Sequence, residues 1–259
     1  MSKGKDKIKI KSKALKARGK ISHKPKQSEA KKTAQEMGSR SVTSPANDCK
    51  GCIKIYFAMY YDNIDSDKDR SFERAAKTWK LEIEKYSSFR MNIDTFVMSG
   101  FKTEADFRRA WDNIYEISKK ANHEVVVGHI FSHASKDDGD DGLEFATDGD
   151  DVNDGTLDST EAEVIKRLNW SSGGQLILLG CNTGLNRSDK HSSPAAAFAK
   201  SQAILVAGQT GYAYFSKKKE EYAQIDVSDV EIYLWAYKRG QNGFFGDGHR
   251  MSANWFYGQ

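Results

Sequence analysis

The sequence predicts an α/β fold: a mainly parallel β-sheet sandwiched between helices. Three observations carry that prediction. Short runs of β-branched and aromatic residues alternate with stretches whose apolar residues recur at helical spacing. Two of those runs, residues 125–132 and 175–180, are apolar almost throughout, as central parallel strands covered on both faces should be. Turn-forming residues punctuate the alternation, and no internal repeat interrupts it.

Taken in order, residues 52–61 are rich in Ile, Tyr and Phe and read as a buried strand. Phe72, Ala75, Ala76, Trp79 and Ile83 then mark a helix over 71–87. A short strand over 93–98 follows. Thr103, with Asp106 three residues on, opens a second helix whose apolar face is Phe107, Ala110, Trp111, Ile114 and Ile117. Residues 125–132 form the third strand. Residues 135–158 are dense in Asp and Gly around a small Leu143-Glu-Phe145 segment. A short helix over 160–168, a strand over 175–180, an Ala-rich helix over 194–201 and a strand over 203–207 complete the alternation. Residues 226–239 read as a last helix, before a tail rich in Gly and aromatic residues.

The start of the chain stands apart. Residues 1–50 hold 15 Lys or Arg against 4 Asp or Glu, while the whole chain carries only +4. The remainder is therefore acidic, and the basic character belongs to an arm. Residues 1–47 have too little apolar surface to offset the entropy of ordering, so a disordered basic arm is expected, followed by one domain over 48–259. An arm of this charge suits an anionic partner: nucleic acid, a membrane surface or an acidic protein.

Three cysteines, Cys49, Cys52 and Cys181, make a disulfide framework unexpected, and free thiols fit a reducing compartment. No stretch approaches the ~20 apolar residues that span a bilayer. The basic N-terminus lacks the apolar run, ~7–15 residues long, of a secretory signal. The expectation is a soluble cytoplasmic protein, with signal-less export as an effector the alternative.

In an open parallel sheet, ligands bind beyond the carboxyl ends of the strands. The third strand ends in Phe131-Ser-His133-Ala-Ser, and the fourth in Leu179-Gly-Cys181-Asn-Thr-Gly184. A His and a Cys thus leave the same sheet edge. Imidazole can draw the proton from a thiol, and the thiolate can then attack a carbonyl carbon. The Asn182-Thr-Gly184 turn offers backbone N–H groups that could face an oxyanion.

These two strand ends resemble the catalytic pair of the caspase-like (clan CD) cysteine peptidases, and are most similar to the CHAT branch, which also resembles separase. Leu143-Glu-Phe145, with Leu157-Asp-Ser-Thr-Glu161 opening a helix, resembles the segment between His and Cys in such domains. Pro194-Ala-Ala-Ala-Phe-Ala199 and Ala203-Ile-Leu-Val-Ala-Gly208 resemble the helix and strand that follow the Cys. The likeness covers residues 52–239. It implies a cysteine endopeptidase in which Cys181 is the nucleophile, His133 the general base and the Cys181 amide one oxyanion donor. The family usually has Gly directly after the His, where this chain has Ala134, and the second oxyanion donor comes from that region. The departure touches the geometry of the hole rather than the dyad.

Plainer readings compete at the other positions. His129 lies mid-strand and reads as a core or supporting histidine. Cys49 and Cys52 form a C-x-x-C pair without the two further ligands a zinc site needs, and they precede a strand where a thioredoxin-like motif would open a helix. Two plain thiols at a domain edge is the expectation. Asp137, Gly139, Asp141, Gly142 and Asp148 partly match a calcium loop, but position three is Gly and no Glu closes it. No cofactor is expected, calcium being the alternative. Asp137, Asp138, Asp140 and Asp141 could instead attract a basic substrate side chain, against the plain reading of a solvated loop. Gly208-Gln-Thr-Gly211 lacks the lysine of a phosphate loop and is expected to shape the substrate cleft through Gln209. Tyr212, Tyr214 and Phe215 are either cleft wall or core. The chain contains no G-x-S-x-G, H-E-x-x-H or G-x₄-G-K-[ST].

Two rival functions follow from the same residues. One is a caspase-like fold that has lost catalysis and serves as a scaffold, which Ala134 favours. The other is a nucleic-acid or anionic-surface binder acting through the arm. If the arm binds nucleic acid, affinity measured by fluorescence anisotropy will fall steeply with added salt and vanish on removal of residues 1–47. Binding that ignores both changes assigns the arm no such role.

Overall fold

In the computed structural model, the β-branched and aromatic run after Cys52 forms strand β1 (Ile53–Tyr61), whose middle is fully buried. The structure describes residue 49 and residues 51–86, 88–134, 142–147, 154–185, 192–216, 233–238 and 253–258. All of them belong to the unit Ser44–Gln259. The expected basic arm lies outside the described residues.

Helix α1 (Ser71–Tyr86) and strand β2 (Thr95–Phe101) follow. β2 starts later than its sequence suggests because Asp94 is diverted to hold the chain before it. The buried Asp94 carboxylate accepts the Arg90 N–H at 2.7 Å and the Lys54 N–H at 3.0 Å. Arg90 also donates to the Cys52 carbonyl at 2.5 Å. The start of β1 and the approach to β2 are thereby tied to one carboxylate, leaving Ile93 exposed.

Helix α2 (Glu104–Ser118) begins where its sequence predicts. Thr103 Oγ1 accepts the Asp106 N–H at 3.2 Å, and Asp106 accepts the Thr103 N–H at 3.0 Å, a reciprocal cap that satisfies two N–H groups lacking intrahelical partners. After β3 (His123–Phe131) come three two-residue strands, β4 (His133–Ala134), β5 (Leu143–Glu144) and β6 (Thr156–Leu157), which form a small antiparallel sheet. Helix α3 (Ser159–Val164) is capped by Asp158 and ends sooner than expected, with Ile165 already extended. β7 (Trp170–Leu179) precedes α4 (Pro194–Gln202), which has Ser193 as its cap, Pro194 in its first turn and Ala203 in the left-handed region at its end. β8 (Leu205–Gln209) completes the run of parallel strands.

The main sheet has the order β11-β8-β7-β3-β1-β2. Five strands are parallel; β11 (Ala253–Tyr257) runs antiparallel to β8. Strand alternation sends His129 toward α1, where it stacks on Trp79, and Phe57 toward α2, where it meets Trp111 edge-on. Trp111 in turn meets Phe198 of α4. Helices thus cover both faces, and the α/β class with a mainly parallel sheet stands as expected.

Three expectations are corrected. Residues 233–238 form strand β10, not helix, and pair antiparallel with β9 (Gly211–Ser216). Tyr233, Trp235 and Tyr237 alternate as strand residues do, and a partner distant in sequence decides the matter. The aromatic tail supplies β11, a further strand that hydrophobic pattern alone did not separate from loop. Finally, Cys49 and Cys52 are not free thiols but a disulfide. Gly51 at φ 94° closes a tight turn, the Cys52 N–H donates to the Cys49 carbonyl at 3.1 Å, and the two Cα atoms come within 5.4 Å, inside bridging range. The argument from free thiols to a reducing compartment does not hold for this pair. Among the described residues, no helix is long and apolar enough to cross a membrane.

The register of β1 and β3 sets one tight contact. Gly128 lies directly beside Phe57, and a Cβ added at Gly128 would fall 2.1 Å from the ring. The ring cannot retreat, since Trp111 and Trp170 flank it at 6.0 Å each. Gly128→Ala should therefore destabilise the fold by about 1–3 kcal/mol, seen as a lower urea midpoint at unchanged m-value. An unchanged midpoint would mean that this packing yields more easily than its density implies.

Candidate active site

The parallel pairing of β3 with β7 places Phe131 opposite Leu179 on their last shared rung. His133 and Cys181 each follow two residues later, on strands that lie ~4.8 Å apart. Gly180 and the His133 segment are in direct contact: a Cβ at Gly180 would lie 2.7 Å from the Ser132 carbonyl and 3.5 Å from the Ala134 Cβ. The structure therefore brings the two motifs together at the carboxyl edge.

His133 is half-buried, its ring meeting Phe72 of α1 and Tyr61 of β1 edge-on, with centroids at 4.8 and 5.4 Å. Burial lowers its pKa, and the charges of Glu144 and Asp67 act in the opposite direction. A neutral imidazole at this position can act as a proton acceptor. Ala134 is buried and paired with Leu143 in the β4–β5 ladder.

Cys181 takes no part in the disulfide and is half-buried. Its Sγ lies 3.9 Å from the Ala213 carbonyl of β9. The turn after it is anchored from several sides. Asn182, left-handed at φ 57°, donates its N–H to the Gly211 carbonyl at 2.8 Å. The Gly184 N–H goes to the Gln209 carbonyl at 2.8 Å. Thr183 Oγ1 donates toward the Leu178 and Gly180 carbonyls and accepts the Gln209 N–H at 3.0 Å. The N–H groups of Asn182 and Gly184 are thus engaged with the β8–β9 corner. The expectation that the turn would present them to an oxyanion is corrected for these two. Gly184 and Gly208 touch backbone to backbone, leaving no space for a Cβ on either, which explains glycine at both positions.

The other anticipated residues fall differently. Gln209 is fully buried at the end of β8, and among the described residues neither polar atom of its side chain has a hydrogen-bond partner. Ser132 Oγ and Asn182 Oδ1 are likewise buried without one, so unmatched polar atoms accompany both motif loops. Tyr212 belongs to β9, opposite Tyr237. Asp137, Asp138, Asp140 and Asp141, the acids expected to attract substrate, lie outside the described residues, as do Gly139 and Asp148 of the calcium-loop match. Among the described residues, no three His, Cys, Asp or Glu side chains gather as a metal site. Sequence reasoning passed over Glu144, Asp67, Tyr61 and Phe72 as neighbours of His133; no local pattern links them, because a ladder and a helix packing bring them there.

His129, the rival base, is stacked on Trp79 with centroids 3.8 Å apart. Complete burial holds its pKa down to about 3, so it stays neutral inside the sheet and serves as core. No family model matches this chain, and no curated protein matches it.

Glu82 of α1 is the counterpart of His129 in pH terms, its carboxyl pushed up to about 7 by burial. His129, with a folded pKa below its unfolded value, favours the native state less as pH falls below ~6.5. Glu82, with a folded pKa above its unfolded value, favours it less as pH rises from ~4.5 toward 7. Between these limits the two slopes oppose each other. Glu82→Gln removes one of them, so the variant should lose about 2 kcal/mol more than the wild type between pH ~6.5 and ~4.5, read from urea melts. Parallel curves for the two proteins would show that Glu82 titrates normally.

Proposed function

We propose that this chain is a cysteine endopeptidase of the caspase-like kind, hydrolysing peptide bonds in proteins through Cys181 and His133. The observation that carries the reading is the shared position of the two residues, each two steps beyond the same rung of adjacent parallel strands. The sheet with helices on both faces and the partly desolvated imidazole support it further. In the reaction, His133 accepts the Cys181 proton and the thiolate attacks the scissile carbonyl carbon. The tetrahedral oxyanion collapses to a thioester as His133 passes the proton to the leaving amine. Water, deprotonated by His133, then attacks the thioester, releasing the acid product and restoring the thiol. Backbone N–H groups at Cys181 and in the Ala134 segment are the oxyanion donors in this scheme.

A mixed peptide library tests the proposal. Wild type should cleave, and Cys181→Ala and His133→Ala should each lose about a thousandfold or more, because the pair acts as a unit. Cleavage that survives Cys181→Ala ends this mechanism. A wild type that neither cleaves nor shows a reactive Cys181 thiol favours the scaffold reading.

A further inference from the structure

The His133 ring is enclosed from three sides. Phe72 comes from α1 and Tyr61 from β1; the third side is the small sheet β4-β5-β6. There Glu144 stands directly opposite His133 in the antiparallel β4–β5 ladder, where facing residues hold their Cβ atoms ~4.5–5.5 Å apart. The flanking Leu143 and Phe145 are buried, and the Phe145 N–H donates to the Gly155 carbonyl at 2.7 Å. Glu144 is thus held in place by its own strand. A second carboxylate, Asp67, also acts on the ring. The two acids differ in what else they do. Asp67 Oδ2 accepts the Phe72 N–H at 3.1 Å, at the start of α1. Beyond the backbone bonds of the ladder, the Glu144 carboxylate makes no hydrogen bond or ion pair among the described residues, so among them its charge acts on the imidazole across the ladder.

We propose that Glu144 is a positioning residue for the dyad: across the β4–β5 ladder, its carboxylate stabilises His133 as an imidazolium once the Cys181 proton has moved to it. The inference rests on reading Cys181 and His133 as a dyad. The step is a single proton transfer. The S–H bond of Cys181 breaks, an N–H bond forms on His133, and no proton passes to or from Glu144. Among the described residues, the charged or titratable groups that act on or touch the ring are Tyr61 on β1, Asp67 before α1 and Glu144 on β5, and Cys181 follows β7 two residues past the shared rung. Among the described residues, only Glu144 combines a fixed place opposite the ring with a carboxylate uncommitted elsewhere. Phe72 and Tyr61 cover part of the same ring, and lower local polarity strengthens the effect of a nearby charge.

The test reads the thiol rather than peptide cleavage. Full-length protein, with the Cys49–Cys52 disulfide intact, is alkylated by iodoacetamide across pH ~5–10, so Cys181 is the thiol that reacts. Wild type should retain reactivity well below the ~8.5 of an ordinary thiol, as a thiolate–imidazolium pair. Glu144→Gln keeps volume and ladder bonds; it should cut the rate near pH ~6.5 by about tenfold, one pKa unit, and leave the alkaline plateau unchanged. Glu144→Asp should fall between the two, and Asp67→Asn should stay within about twofold of wild type. A Gln profile that superimposes on wild type, while His133→Ala abolishes the low-pH reactivity, overturns the proposal and leaves the dyad standing. A wild-type profile of an ordinary thiol, unmoved by His133→Ala, overturns both. If Glu144→Gln does not fold, the Asp variant decides: an intermediate low-pH rate supports the proposal, and a wild-type profile overturns it.

Discussion

The arrangement at the carboxyl edge depends on how closely the ends of β3 and β7 approach. At Gly180 there is no room for a side chain: the Ser132 carbonyl occupies the space a Cβ would take. That contact fixes the height of Cys181 relative to His133, and the parallel register below it sets their alignment along the sheet. A second backbone contact, Gly184 on Gly208, holds the far side of the Cys181 turn against β8. The turn is therefore clamped between two strands, with Thr183 Oγ1 hydrogen-bonded inside the clamp. Positioning on rigid elements is what the proposed nucleophile and base would require.

Beneath this edge the two sheet faces are filled differently. On one side Phe57 is lodged among Trp111, Trp170 and the Cβ-less Gly128, and Trp111 reaches on to Phe198. On the other, Trp79 covers His129, a polar residue held neutral by its surroundings. The same helix that supplies Trp79 also supplies Phe72 to the His133 ring. Packing of α1 thus links the core to the candidate site, through aromatic contacts rather than a polar relay.

Much of the fold is legible in residues 53–131, where each element is local. The cap of Thr103 by Asp106 and the apolar face Phe107, Trp111 and Ile114 depend only on residues one or two turns apart. Legibility fails where pairing is distant. Tyr233–Lys238 carries enough apolar residues for a helix and becomes a strand because Gly211–Ser216 lies alongside it. Ala253–Tyr257 looked like tail until β8 offered it an edge. The bridge between Cys49 and Cys52 needed the left-handed turn at Gly51 to become visible.

By itself the sequence determined the α/β alternation and the two strand ends that carry His133 and Cys181, because these follow from composition and short-range periodicity. The tertiary structure decided which strands are neighbours, which N–H groups of the Cys181 turn are already engaged, and that Glu144 stands across from His133. Those are relations between residues far apart in the chain. They are set by ladder register and by backbone contacts that tolerate no Cβ, and neither leaves a mark in a local pattern.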